Sequence, residues 1–176
     1  GVSFEALPAA IDERTVEAEL AANGPDAIAL GLAGAKAATV SSAMAGRLVL
    51  GSDSLVTVAG RRFDKPTDRE QAAEHLRFFS GRRMELHSAA AIARGGEQLW
   101  SHHSLAILQV RELSGGFITN YLDAEWPEVS GCVGVFRIEG RGAQLFSAIE
   151  GDYFTVLGMP LLAVLAALRN HGELPT

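Results

Sequence analysis

The pattern of apolar and polar positions along the chain predicts several β-strands. The stretch LVLGSDSLVTVAG, from Leu48 to Gly60, has the apolar character of a core strand. Two further runs, RMELHSAAAIARG and QLWSHHSLAILQV, are joined through RGGEQ and predict a β-hairpin. Additional strands are expected in VSFEAL, in RFDKP, and from GCVGVFRIEG to AQLFSAIEG.

Segments with helical periodicity lie between these strands. Helices are expected in ERTVEAELAANG, over about Asp26–Ala45, in TDREQAAEHLRFFSG, in LSGGFITNYLDAEW and in MPLLAVLAALRNHG. In the third of these, Thr67 and Glu70 predict a capping box, and Gly81 follows the end of the helix. The stripe of this helix that should face the core is Ala72, Ala73, Leu76 and Phe79. Ser114 should cap the fourth helix, and the fifth should begin near Pro160.

The interleaving of strands and helices predicts an α/β fold with a mixed sheet. Apolar residues make up 48% of the 176 residues and charged residues 20%, which is the balance of a globular protein with one substantial core. No internal repeat or low-complexity linker divides the chain. We therefore expect a single domain over residues 1–176.

Charge and cysteine content exclude several classes of function. The net charge of −6 argues against binding to nucleic acid or to an anionic membrane. The longest weakly charged run, 27–46, contains Lys36 and is interpreted as a buried helix rather than a membrane span. Cys132 is the single cysteine, so a cytoplasmic, reducing location is expected. The adjacent His102 and His103 point to opposite faces of a strand and are interpreted as surface residues.

A carboxylate, Asp53, stands in the middle of the first long strand. Burial of an ionised carboxylate costs several kcal/mol unless the group is paired, bound to a metal or placed at a cleft. Lys36 raises the same question, because it is the only charged residue between Asp26 and Arg47. Two explanations remain open: Lys36 and Asp53 form a structural ion pair or reach solvent, or they serve a ligand site.

Other charged residues are consistent with a ligand site. Lys65 precedes Pro66 in a turn after the Asp53 strand, and Asp12 and Glu13 are adjacent acids in a loop. Oxygen ligands suit a divalent cation and ammonium groups suit phosphate oxygens, so the set fits a metal and a polyphosphate. By itself, a lysine in such a turn is usually a solvated surface charge. No Walker-type or dinucleotide glycine motif is present, so side chains would have to bind the phosphates.

The order of short motifs along the chain resembles the Maf family of nucleoside triphosphate pyrophosphatases. These motifs are IDE (11–13), LAGAKA (32–37), GSDS (51–54), DKP (64–66), LRFFSG (76–81), Tyr121, RIEGRGAQLF (137–146) and IEGDYFTVLGMPL (149–161). The resemblance implies a curved mixed sheet flanked by helices, with a central cleft, as in the inosine triphosphatase group. It also implies a homodimer that hydrolyses nucleoside triphosphates to monophosphate and pyrophosphate with a divalent cation, Mg²⁺ or Mn²⁺.

Roles for individual residues follow from the resemblance. Asp53 matches the catalytic aspartate, which is expected to act as general base and to hold the metal. Asp12 or Glu13 matches the acidic metal position, and Lys36 and Lys65 match the phosphate-binding lysines. The family's S-x-S-P-x-R motif has no counterpart here, and the chain starts without Met, so we expect that the given sequence is truncated.

Two positions bear on the choice of base. The thymidine/uridine branch of the family reads GADT and IQG, whereas this chain has Ser54 and Glu139. The stretch FRIEG is closer to the branch acting on 7-methyl-GTP, whose members also have a glutamate at this position. A carboxylate accepts hydrogen bonds from the N–H edge of guanine, so Glu139 is a candidate specificity residue, although a surface charge explains it equally well. Two alternatives to a general pyrophosphatase remain: an enzyme specific for 7-methyl-GTP, and a non-catalytic nucleotide-binding regulator linked to cell division.

Overall fold

Helices and strands alternate along the chain in the computed structural model, which describes residues 2–44 and 46–175. The helices are α1 (Glu13–Leu20), α2 (Pro25–Ala43), α3 (Arg69–Phe79), α4 (Gly115–Glu125), α5 (Tyr153–Val156) and α6 (Leu161–Asn170). The strands are β1 (Val49–Val58), β2 (Arg61–Phe63), β3 (Arg83–Arg94), β4 (Glu97–Val110) and β5 (Phe146–Glu150). They form a sheet in the order β2-β1-β3-β4-β5. The predicted α/β class is confirmed, but the sheet is antiparallel rather than mixed.

Local sequence signals account for several element ends. The predicted hairpin of β3 and β4 turns at Gly95 and Gly96, whose φ angles of +60° and +87° suit glycine. Ser114 caps α4 by accepting a hydrogen bond from the Phe117 backbone N–H, as predicted. The prediction that Thr67 caps α3 is wrong by one residue. Asp68 caps α3 instead, because its carboxylate accepts from the Gln71 backbone N–H at 2.8 Å.

Two of the predicted strands do not form within the described residues. VSFEAL is not a strand, and the side chain of Phe4 is 86% exposed, so its alternating pattern does not mark a buried face. GCVGVFRIEG forms turns and part of a short 3₁₀ helix, Glu128–Gly131. Val135 in this segment has a φ of +56°, which is incompatible with a regular strand.

The described residues form two compact units. One comprises 1–54, 87–104 and 158–176 apart from the undescribed positions, and the other comprises 55–86 and 105–157. In the second unit, the predicted stripe of α3 is buried against aromatic and aliphatic side chains of the core. Phe63 and Phe79 meet there edge to face, with ring centroids 4.7 Å apart.

In the first unit, α2 packs against β1 at unusually short range. The buried residues of α2 are small or aliphatic: Ile28, Ala29, Leu32, Ala33, Gly34, Ala37 and Ser41. Opposite them lies Gly51 of β1, where an added Cβ would be 2.4 Å from the Ala33 carbonyl oxygen and 2.7 Å from the Ala37 backbone nitrogen. Only glycine permits this approach, which brings the side chain of Lys36 down to β1.

Candidate active site

An ion pair joins α2 to β1. Lys36 Nζ donates a hydrogen bond to Asp53 Oδ1 at 2.6 Å. The Lys36 side chain is 22% exposed and that of Asp53 is 13% exposed, so the pair is largely buried but open to solvent. The ion pair considered in the sequence analysis therefore exists, and it does not lie in a closed core.

Glu13, the first residue of α1, completes a three-residue cluster. Its Oε1 lies 2.8 Å from Lys36 Nζ, and its side chain is 50% exposed. Burial is the largest influence on the Lys36 pKa and lowers it, but the hydrogen bonds and charges of Asp53 and Glu13 together outweigh burial and raise the pKa above 10.5. Because the pKa of Lys36 is raised in the folded state, the stability that its ion pairs contribute is complete below pH 10.5. It is lost as the pH rises through the folded pKa. Lys36 is a full cation at neutral pH.

Asp12 has a different position from Glu13. It is the N-cap of α1, where Oδ1 accepts from the Arg14 and Thr15 backbone N–H groups at 3.1 and 3.3 Å. Its Oδ2 accepts from Thr15 Oγ1 at 2.8 Å, and the Thr15 hydrogen bonds lower the pKa of Asp12. Of the two adjacent acids, Asp12 therefore fixes the start of α1 and Glu13 contacts Lys36.

Ser54 points away from the cluster. Adjacent residues of a strand face opposite sides of a sheet, so Ser54 and Asp53 diverge. The Ser54 hydroxyl lies 3.0 Å from Ser88 Oγ and donates to the Gly158 carbonyl at 2.9 Å. These contacts link β1 to β3 and to the segment before α6.

Lys65 and Glu139 belong to the second unit, and both are exposed. Both charges influence the pKa of Cys132. Burial raises the pKa of that thiol most strongly, Arg137 and Lys65 lower it, and Glu139 raises it.

Glu13 and Asp53 are the carboxylates of the first unit that could hold a divalent cation. No group of three or more His, Cys, Asp or Glu side chains suited to a metal ion occurs in 2–44 or 46–175. Glu13 Oε1 and Asp53 Oδ1, however, lie 2.8 and 2.6 Å from the same atom, Lys36 Nζ, so the two carboxylates are close together. Mg²⁺ is commonly held by one or two carboxylates together with water and substrate phosphates, and this pair supplies that number.

Comparison with known proteins identifies the family of this chain. The family model described as Maf-like protein matches residues 1–171. The chain belongs to the Maf-like family. A nucleoside triphosphate pyrophosphatase of Nitrobacter hamburgensis is 48% identical over 174 residues, which cover 99% of this chain and 86% of that protein. A 7-methyl-GTP pyrophosphatase of Rhizobium meliloti is 46% identical over 176 residues, covering 99% of this chain and 88% of that protein.

Among the histidines of this Maf-like chain, only part of the surface interpretation is correct. His102 is exposed, but His103 is half-buried and its Nε2 lies 3.2 Å from Nδ1 of the buried His87. Burial, followed by the neighbouring His87, lowers the pKa of His103. The interpretation of His103 as a surface residue therefore holds only for part of its ring. No helix within the described parts of the chain is long and apolar enough to cross a membrane.

His75 on α3 is expected to make the stability of the protein sensitive to mild acid. Its Nδ1 is buried without a hydrogen-bond partner in the described structure, and its ring packs edge to face on Phe63 at 5.0 Å. Burial, reinforced by Arg61, lowers the pKa of His75. The unfolded chain therefore binds a proton at this histidine before the folded chain does, so stability falls as the pH drops below 6.5.

The replacement His75→Phe should reduce this pH dependence. One proton contributes at most about 1.4 kcal/mol per pH unit, and that is the upper limit of the expected change in slope. Urea unfolding at several values between pH 7 and pH 5 measures it, with the exposed His102→Gln as control. Parallel curves for the native chain and His75→Phe would contradict the prediction.

One acid of the second unit was not singled out from the sequence. Glu125 is 5% exposed and lies on the buried face of α4 with Ile118, Tyr121 and Leu122. These positions have the spacing of a helical stripe that faces the core. A charged residue at the last position of such a stripe is the sequence signal that could have identified Glu125 as a buried acid in need of a partner.

Proposed function

We propose that this chain is a nucleoside triphosphate pyrophosphatase, which hydrolyses the bond between the α- and β-phosphates to give a nucleoside monophosphate and pyrophosphate. The observation that supports this most directly is the position of Lys36 Nζ between Glu13 and Asp53. Relatives that are 46–48% identical over nearly the whole chain carry pyrophosphatase names.

Lys36 has two tasks in this proposal. Before substrate binds, its ammonium offsets the charge of the two carboxylates and holds the Asp53 side chain in place. When a triphosphate enters, the same ammonium donates to phosphate oxygens, since a cation with three donors can exchange one anionic oxygen for another. Lys65 is proposed to bind further phosphate oxygens.

Asp53 is proposed as the general base. Its carboxylate is held in place by Lys36 and is 13% exposed, so a water molecule can reach it and donate a hydrogen bond to it. Removal of that proton during attack on the α-phosphorus makes the water a stronger nucleophile, while pyrophosphate is the leaving group.

A divalent cation, Mg²⁺ or Mn²⁺, is proposed to be held by Glu13 and Asp53. Two carboxylates and one ammonium leave the cluster with one net negative charge, which repels a triphosphate unless a further cation is present. When bound, the cation supplies neutralisation of the phosphate charge and polarisation of the phosphorus–oxygen bonds.

Glu139 is proposed to select the base. Its exposed carboxylate can accept hydrogen bonds from the N1–H and N2–H groups of a guanine, and a pyrimidine such as uracil lacks that pair of donors. The 7-methyl-GTP pyrophosphatase names of several relatives give the narrower candidate substrate. Methylation at N7 keeps the N1–H and N2–H donors on this edge and adds a positive charge to the purine ring, which a carboxylate also favours.

A pyrophosphate-release screen tests the proposed function. The full-length protein is incubated with canonical and modified nucleoside triphosphates, including 7-methyl-GTP, in the presence of Mg²⁺, Mn²⁺ or a chelator. We expect cation-dependent release of pyrophosphate and monophosphate, with guanine-type substrates preferred over UTP by about tenfold or more. Nucleotide binding without any product in every arm would contradict the enzyme assignment and favour the nucleotide-binding regulator.

A further inference from the structure

A buried carboxylate at the end of α4 needs a structural explanation. Glu125 occupies the last turn of the helix, where the helix dipole is unfavourable for a negative charge, and its side chain is 6% exposed. Burial of such a group is costly unless hydrogen bonds and an opposite charge compensate for it. The compensation comes from the segment that carries Glu139.

The Glu125 carboxylate holds both ends of the turn from Arg137 to Arg141. Its Oε2 accepts from Arg137 Nε at 3.3 Å and Nη2 at 3.1 Å, and its Oε1 accepts from the Arg141 backbone N–H at 3.3 Å. A Cβ added at Gly140 would lie 3.4 and 3.5 Å from the two carboxylate oxygens, so the turn wraps closely around them. Glu139 lies between these fixed points.

A second side chain of α4 holds the segment just before this turn. Tyr121, one helical turn before Glu125, donates a buried hydrogen bond from its hydroxyl to the Val135 carbonyl at 3.0 Å. A Cβ at Gly142, on the far side of the turn, would lie 2.4 Å from the Arg137 carbonyl oxygen. The turn is therefore fixed to one face of α4 and packed against its own backbone.

We propose that Glu125 is a positioning residue for base selection, because it fixes the turn that presents the Glu139 carboxylate. This inference rests on the proposed function in one respect only, the role of Glu139 toward the base. An exposed carboxylate on a mobile loop loses conformational freedom when it binds a ligand, whereas one on a fixed turn has lost part of that freedom already. Discrimination between bases then depends on Glu125, although Glu125 does not touch the nucleotide.

The test compares dissociation constants for two non-hydrolysable nucleotides. The probes are the α,β-methylene analogues of GTP and UTP, and calorimetry with the native chain and with Glu125→Gln gives their ratio. Glutamine keeps the shape of the side chain but cannot accept all three hydrogen bonds. We expect the preference for the guanine analogue to fall about tenfold, mostly through weaker guanine binding.

Glu128→Gln is the matched control. Glu128 lies 3.8 Å from the same Arg137 guanidinium but is 65% exposed, so its replacement should leave the ratio unchanged. Arg137→Lys keeps the positive charge and removes the two-point contact with Glu125. It should lower the ratio in the same direction, and it decides the question if Glu125→Gln does not fold.

The outcomes separate this proposal from the proposed function. An unchanged ratio in folded Glu125→Gln, equal weakening of both analogues, or a native chain without base preference would each overturn the positioning role. Because no turnover is measured, an absence of pyrophosphate release in the nucleotide screen would remove the enzymatic function without altering this result.

Discussion

Asp53→Asn is expected to reduce pyrophosphate release by about 10²–10⁴-fold, the range typical of losing a general base. Asparagine has nearly the same shape, and its amide oxygen can still accept a hydrogen bond from Lys36 Nζ. Lys36 also keeps Glu13 at 2.8 Å, so the ammonium remains paired. The loss should therefore appear in kcat, while the fold is preserved.

The measurement is steady-state pyrophosphate release at saturating cation, together with thermal unfolding of each variant. Asp123→Asn is a suitable control, because Asp123 is an exposed acid on α4 that pairs with Arg69. It should leave turnover unchanged. Turnover of Asp53→Asn equal to that of the native chain would remove Asp53 from the catalytic role.

Gly51→Ala is expected to damage both stability and activity. The added Cβ would lie 2.4 and 2.7 Å from backbone atoms of α2, and backbone cannot rotate away as a flexible side chain does. α2 must move back from β1, at a cost of about 1–3 kcal/mol in the free energy of unfolding. Because Lys36 is on α2 and Asp53 on β1, the same movement lengthens their 2.6 Å contact, and kcat/KM should fall with it.

Gly116→Ala provides the matched control for this substitution. Gly116 lies within α4, where an added Cβ meets no atom within 4 Å, and alanine favours a helix over glycine by about 0.5–1 kcal/mol. Urea unfolding and pyrophosphate release should show a neutral or stabilising effect there. A Gly51→Ala protein with native stability and native kcat/KM would show that the close approach of α2 does not position the site.

Much of the candidate site was predictable because its residues violate local patterns. Lys36 is a lone charge in an apolar helix, and Asp53 is a lone acid in an apolar strand. Each alone signals a need for a partner, since an isolated buried charge is costly. The sequence did not show which of Asp12 and Glu13 reaches the site, because two adjacent acids at the start of a helix look the same until the structure shows which one is the N-cap.

The sequence by itself determined the α/β class, the main helices, the long hairpin and the two charged residues, Lys36 and Asp53, that need a partner. These depend on interactions within a few residues: periodicity, caps and glycine turns. Tertiary structure decided that Glu13 rather than Asp12 meets Lys36, that Ser54 contacts Ser88 and Gly158, and that Glu125 holds the turn around Glu139. Those contacts depend on how helices pack on distant strands and loops, and the residues concerned are too far apart in the chain for local patterns to relate them.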